Sequence, residues 1–244
     1  MARAGIGGSV EGIHAVAAAV HAGRVRRLIV ERSRQGDLAS IIESARVAGA
    51  DIALVDDVGD LAATDAPQGV VAEADPIPLA SLEAAVLAAD PPALVVLDHF
   101  DDDRNVGAVA RTALAAGVGA IVVPTRRSAP LGPSAFKAAA GSLEQLVVAG
   151  VSSIADAVAD LRRREIWLVG LTTSGERSIF GLDLLAESVA IVVGSEGRGL
   201  GRLVSERLDV RASIPLAGDV ESLNASVAAG VAVYELARMR GWVT

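Results

Sequence analysis

Cysteine is absent from this chain of 244 residues. Disulfides, thiolate metal sites and cysteine nucleophiles are therefore excluded, and a reducing compartment suits the protein. Lysine is nearly absent: of 22 basic residues only Lys137 is a lysine. A Walker-type phosphate loop, which closes on a lysine, has no support. Aromatic residues make up 2%, too few for a protein that grips single strands mainly by stacking bases. No apolar run approaches the roughly 18 residues needed to span a bilayer. The opening stretch MARAGIGGSVEGIHAVAAAV lacks an apolar core followed by a cleavage site. A cytoplasmic protein without membrane contact is expected. The three histidines, His14, His21 and His99, show no metal-site spacing, so no metal is expected. There is no G-x-S-x-G nucleophile elbow either.

The formal net charge of −8 counts against broad, non-specific nucleic-acid binding, which relies on basic side chains neutralising phosphates. The arginines are nevertheless clustered. Arg24, Arg26, Arg27, Arg32 and Arg34 lie near the start, Arg126 and Arg127 later, then Arg162, Arg163 and Arg164. Residues 51–75 hold seven acids and no base. Such clusters are either a solvated surface or, because guanidinium pairs bidentately with phosphate, an RNA footprint. On the second reading Arg24, Arg26, Arg27 and Arg104 are the candidate RNA contacts.

Residues 1–75 read as a small α/β unit. GIHAVAAAVHAG is a short helix closed by Gly23, VRRLIVE a strand, and DLASIIESARVAG an amphipathic helix with Asp37 as N-cap and Gly49 at its end. DIALVDD and QGVVAEA are further strands. Residues 76–92, with four prolines around one helical piece, read as a linker. From residue 93 to 244 fully apolar strands alternate with helices: ALVVLD, AIVVP, LVVAG, IWLVGL, SVAIVVG and DVRASIPL, with a long C-terminal helix after SLN. That pattern predicts an α/β domain with a mainly parallel sheet covered on both faces. Ligands of such sheets bind beyond the carboxyl ends of the strands.

Three loops follow strand ends in this second unit. In LDHFDDDRNVGAVAR, Asn105 stands where an N-cap belongs. Arg111 lies about 120° around the helix from the core stripe, at roughly 100° per residue. In GSEGRGLG, residues 194–201, four glycines surround Glu196. A dinucleotide fingerprint would follow the first strand with G-x-G-x-x-G spacing, whereas this loop follows a late strand and lacks that spacing. Its carboxylate would also repel phosphate. In IPLAGDVESLNASVAAG, Ser222 suits a helix cap, but Asn224 is a poor choice inside a helix.

Taken together, the three loops resemble the three motifs of the SpoU (TrmH-like) family of RNA ribose 2′-O-methyltransferases in the SPOUT superfamily. The first motif corresponds to Asn105, Gly107 and Arg111, the second to Gly194–Leu200, the third to Ile214, Pro215, Ser222, Leu223 and Asn224. Upstream, GIHAV and QGVVA are similar to the L30e-like RNA-binding module of the family's rRNA branch, so the resemblance covers nearly the whole chain. Three departures stand out: Asp103 replaces a common proline, AAAGSLE replaces a Ser-Ala-Gly-Ala stretch, and Pro67 precedes Gln68 where histidine is frequent.

The resemblance implies a C-terminal α/β domain with a trefoil knot, a homodimer, and S-adenosylmethionine as methyl donor. It implies that Gly194, Ser195, Gly197, Gly199, Ile214, Leu216 and Leu223 hold the cofactor. Arg111 would assist proton removal, Asn105 orient substrate, and Glu196, Ser222 and Asn224 shape the pocket. The implied substrate is a guanosine ribose in large-subunit rRNA, with tRNA or a thiostrepton-site adenosine as alternatives. A rival of another class is a catalytically silent RNA-binding or ribosome-assembly protein.

Overall fold

The structure is a computed structural model and describes residues 5–126 and 131–243. Arg127, the second member of one arginine cluster, lies outside the described residues.

The N-terminal unit comprises β1 (Gly5–Ile6), β2 (Ser9–Glu11), α1 (Ile13–His21), β3 (Val25–Glu31), α2 (Ala39–Val47), β4 (Asp51–Val55) and β5 (Val70–Ala74). Four strands form a sheet in the order β2-β5-β3-β4, with only β3 and β4 parallel. The alternation in β3 explains its two-sided packing. Leu28 and Val30 enter the main core while Ile29 faces a small cluster with Val58 and Val71. Helix α2 starts one residue later than read from the sequence. Leu38 occupies the N-cap position, and Asp37 instead pairs with Arg34 at 3.5 Å.

The segment expected to act as a linker is structured. It contains β6 (Ile77–Pro78), antiparallel to β1, and α3 (Leu82–Val86), capped by Ser81, whose Oγ accepts the Ala84 N–H at 3.1 Å. Between them Ala80 bridges to Ala149. The segment therefore covers a sheet edge that would otherwise present free backbone groups.

The C-terminal unit comprises β7 (Ala93–Asp98), α4 (Asp103–Ala115), β8 (Ala120–Pro124), α5 (Pro133–Ala139), β9 (Val147–Val151), α6 (Ile154–Arg163), β10 (Trp167–Leu171), β11 (Arg177–Ser178), β12 (Val189–Gly194), α7 (Arg202–Ser205), β13 (Val210–Ser213) and α8 (Ala225–Met239). Its seven strands are all parallel, in the order β11-β13-β10-β12-β7-β8-β9. Val95, Leu97, Ile191 and Val193 face one core with α4, α5 and α8, while Leu94, Val96, Ala190 and Val192 face another with α6. Burial on both faces is why these strands read as unbroken apolar runs.

Helix α5 joins the two units. On one side it meets α4, where a Cβ on Gly107 would lie 2.2 Å from the Ala135 carbonyl oxygen. On the other, Phe136 sits against Gly7, where a Cβ would lie 2.3 Å from its ring. Arg24 stacks over the same ring, 5.4 Å from its centroid, and its Nε donates to Glu144 Oε2 at 2.7 Å. The Arg24 and Glu144 side chains are only 10% and 5% exposed. Arg24, expected at an RNA surface, is thus turned inward as the counter-charge of a buried glutamate. The other three candidates remain exposed but locally paired: Arg26 with Asp75, Arg27 with Asp51 and Glu73, Arg104 with Asp102.

The chain end is fixed by Arg240, whose guanidinium donates to the carbonyls of Leu185, Pro91 and Pro92 at 3.1, 2.7 and 2.9 Å and lies over the Trp242 ring. No helix among the described residues is long and apolar enough to cross a membrane.

Candidate active site

Parallel order brings the carboxyl ends of β7, β12, β10 and β13 to one edge of the sheet. Asp98 and Gly194 are register partners there. The loops after β12 and β13 flank the end of β10, since β10 lies between those strands.

The glycine-rich loop folds back on its own strand. A Cβ on Gly194 would lie 2.2 Å from the Gly199 carbonyl carbon, an approach only glycine allows. The Gly199 N–H donates to the Ser195 oxygen at 2.9 Å, and Gly197 and Gly199 take φ of +79° and +64°. The turn projects Glu196, which is exposed.

Glu196 Oε1 is the meeting point of the three loops. It accepts from Asn105 Nδ2 at 3.1 Å and from Asn224 Nδ2. Asn224 Nδ2 also donates to Asn105 Oδ1 at 3.2 Å. Residues 105, 196 and 224, far apart in sequence, form one hydrogen-bonded cluster.

Two capping assignments change. Asp102, not Asn105, caps α4: its Oδ1 accepts the Arg104 N–H at 2.9 Å. Hydrogen bonds from Arg104 hold the Asp102 carboxyl below the usual carboxylate range. Asn105 is thereby released, in the first turn, to reach across to Glu196. At α8 the cap is Asn224, not Ser222. Asn224 Oδ1 accepts the N–H groups of Ser226 and Val227 at 2.9 and 3.2 Å. This resolves the apparent misfit of Asn224, which precedes the helix rather than lying inside it.

Other candidates are placed but less connected. Ser222 is exposed and makes no hydrogen bond among the described residues. Arg111 is exposed on α4, with no ion-pair partner among the described residues. At roughly 100° per residue it lies about 120° around the helix from Asn105, so one chain does not bring it into the cluster by direct contact.

Residues 216–223 make no backbone hydrogen bond among the described residues. With Ile214, Leu216 and Leu223 they offer apolar surface and free N–H and C=O groups, as recognition of a nucleobase edge requires. The loops 195–201 and 214–224 carry Glu196, Asp219 and Glu221 against the single base Arg198. That set suits a cationic, phosphate-free ligand such as S-adenosylmethionine.

Sequence reasoning missed Asp98 and His99. Asp98 is 1% exposed. Its Oδ2 accepts the Gly201 N–H at 2.7 Å, closing the glycine-rich loop, and its Oδ1 lies 2.5 Å from His99 Nδ1. A carboxylate ending a buried strand was the available signal, since a buried charge demands partners.

This geometry has counterparts. The profile described as SpoU rRNA Methylase family matches residues 92–234, and that of the RNA 2'-O ribose methyltransferase substrate-binding domain matches residues 9–80. The chain belongs to the SpoU rRNA methylase family. Among SpoU relatives, the 23S rRNA (guanosine-2'-O-)-methyltransferase RlmB of Xanthomonas campestris is 38% identical, over 95% of this chain and 96% of its own length. An uncharacterized tRNA/rRNA methyltransferase of Mycobacterium ulcerans is 40% identical over 75% of this chain and 60% of its own. In structure the chain is similar to the SpoU methyltransferase AviRb from Streptomyces viridochromogenes, solved with its cofactor AdoMet. The TM-score is 0.80 at 26% identity, covering 96% of this chain and 91% of AviRb.

Proposed function

We propose that this SpoU protein transfers the methyl group of S-adenosylmethionine to the ribose 2′-hydroxyl of a guanosine in large-subunit rRNA. The observation that carries the reading is the Asn105–Glu196–Asn224 cluster, which ties the three family motifs into one site. The match to RlmB over nearly the full length supports the guanosine.

When bound, S-adenosylmethionine supplies a methyl group already activated on a sulfonium. The reading therefore needs no metal. Gly194, Ser195, Gly197, Gly199, Ile214, Leu216 and Leu223 hold the adenine and ribose end, chiefly through backbone. Asn105 orients the RNA ribose, and Glu196, Ser222 and Asn224 shape the space around the attacking oxygen. Arg111 assists proton removal by positioning and by stabilising charge. The substrate-binding unit, residues 1–75, selects the RNA with exposed Arg26 and Arg27, and Arg104 adds a contact beside the site. The enzyme works in the cytoplasm as a homodimer. Val227 and Tyr234, 51% and 45% exposed on one face of α8, support that pairing, because exposed apolar stripes on a helix mark association surfaces.

The test is ribose-methylation mapping of rRNA and tRNA from a strain lacking the gene, restored with wild type or Arg111→Ala. Loss of one 2′-O-methylguanosine in large-subunit rRNA, regained only with wild type, is expected. A missing mark in tRNA instead would overturn the rRNA assignment.

A further inference from the structure

An enzyme acting on an RNA ribose must also hold the phosphates around it, since backbone contacts set the register of the strand. The N-terminal unit, residues 1–75, is poorly charged for that task, with seven arginines against eleven acids. Arg24, Arg26, Arg27, Arg32, Arg34 and Arg46 each face a carboxylate. Exposed pairs of this kind add little stability, but they leave no net positive charge for a polyanion to meet. Arg26 and Arg27 reach a phosphate only by giving up a carboxylate.

Uncompensated positive charge lies instead at the carboxyl edge of the large sheet. Besides Arg111, which the reaction engages, Arg126 and Arg198 are exposed and have no hydrogen-bond or ion-pair partner among the described residues. Strand register places both. Val96 of β7 pairs with Val122 of β8, so Asp98 stands level with Pro124, and Asp98 pairs with Gly194 of β12. Gly194, Asp98 and Pro124 thus form one row across three neighbouring strands. Arg126 lies two residues past Pro124. Its loop leaves from a fixed point, because the Thr125 N–H and hydroxyl both donate to the Val151 carbonyl, at 2.8 and 3.2 Å. Arg198 stands in the glycine-rich turn, which the Ser195–Gly199 bridge folds back over the end of β12. The carboxylate of the same turn, Glu196, is engaged by Asn105 and Asn224, which leaves Arg198 to an outside anion. Between the two arginines lies the loop after β7, which opens the helix carrying Asn105. At about 4.8 Å per strand, β12 and β8 are about 10 Å apart.

We propose that Arg126 and Arg198 form a phosphate clamp that grips the RNA backbone on either side of the nucleotide whose ribose Asn105 orients. This inference rests on the methyltransferase reading above. Guanidinium suits the task, since its planar fork pairs bidentately with phosphate oxygens. The clamp supplies affinity and register, and the N-terminal unit supplies selection. Because the whole chain carries a net charge of −8, binding depends on such local contacts rather than on long-range attraction.

The experiment measures binding to an unmodified large-subunit rRNA transcript by fluorescence anisotropy, from about 50 to 200 mM salt, with methyl transfer read on the same samples. Affinity falls as a power of salt concentration, with an exponent of about 0.7–0.9 for each phosphate neutralised. Arg126→Ala and Arg198→Ala each reduce the exponent by about that amount and weaken binding about five- to eightfold at about 0.1 M salt. The double variant loses both increments, while Arg126→Lys and Arg198→Lys keep most of the exponent. Arg32→Ala, which removes an exposed arginine already paired with Asp56, leaves it unchanged. Calorimetry gives wild-type S-adenosylmethionine affinity in Arg126→Ala. An unchanged exponent in the double variant, or an equal loss in Arg32→Ala, overturns the clamp alone. A wild type that binds the transcript but methylates no ribose in it overturns the enzymatic reading on which the clamp rests.

Discussion

Asn224 has two separable roles, and three variants divide them. Its Oδ1 caps α8 through the N–H groups of Ser226 and Val227, while its Nδ2 reaches Glu196 and Asn105. Asn224→Ser keeps an oxygen able to cap and loses the donor; Asn224→Ala loses both. Removing an N-cap costs about 1 kcal/mol. The two lost carboxamide hydrogen bonds are exposed, so each contributes at the low end of the usual range, about 0.5 kcal/mol. The expected loss is therefore about 1 kcal/mol for Asn224→Ser and about 2 kcal/mol for Asn224→Ala. For a chain of this size 1 kcal/mol moves the melting temperature by about 2–4 °C. Thermal denaturation gives that ordering, and a methyl-transfer assay on the same samples gives the second readout. Both variants should lose activity to the same extent, at least tenfold, because both release Glu196. Asn224→Asp keeps the capping oxygen but opposes Glu196 with like charge, and should lose activity most. Equal melting temperatures for Asn224→Ser and Asn224→Ala would refute the capping role. Wild-type activity in Asn224→Ser would refute the cluster as part of the site.

Three further outcomes follow from the structure. Gly194→Ala places a methyl 2.2 Å from the Gly199 carbonyl carbon, so calorimetry should detect no S-adenosylmethionine binding while circular dichroism stays near wild type; tight binding would remove the loop from the cofactor site. Arg24→Ala leaves Glu144 buried without its partner and should cost about 3–5 kcal/mol in urea denaturation, with Arg24→Ala/Glu144→Gln recovering part; an unchanged midpoint would mean the buried pair is not formed. Glu235 is held below its ordinary value of 4.5 by hydrogen bonds from Arg238 and, secondarily, from the Gly181 N–H, against the opposing effect of burial. Its folded-state value is depressed, so its stabilisation is complete above about pH 4.5 and is lost as pH falls through the lower folded value. Glu235→Gln should flatten the stability profile in that acid window, and an unaltered profile would contradict the assignment.

Much of this molecule was legible in the sequence because its strands are extreme. ALVVLD and VAIVVG have no polar residue before their ends, and only a sheet covered on both faces accommodates that. Capping was harder to read. Asp102, Asp103 and Asn105 are all good cap residues, and only the hydrogen bond from Arg104 to Asp102 decides among them. At α8, Ser222 and Asn224 competed in the same way. Arg24 misled because an arginine cluster looks the same whether it faces solvent or a buried glutamate on a helix turn 120 residues away. His99 could not be found from spacing, since nothing local announces a positive φ or the contact to a neighbour's buried carboxylate. Chain topology is also beyond local patterning. The general rule that chains do not thread loops would have excluded a trefoil knot, so the expectation of one came from the resemblance of the three motifs and not from local patterning.

The most direct test of the central claim is chemical analysis of the product. Purified protein, labelled S-adenosylmethionine and an unmodified large-subunit rRNA transcript are incubated, and the RNA is digested to nucleosides for mass spectrometry. The account predicts a single new nucleoside, 2′-O-methylguanosine, formed by wild type and absent with Arg111→Ala. A methyl group on a base, or no methylated nucleoside from a protein that binds the cofactor, would contradict it.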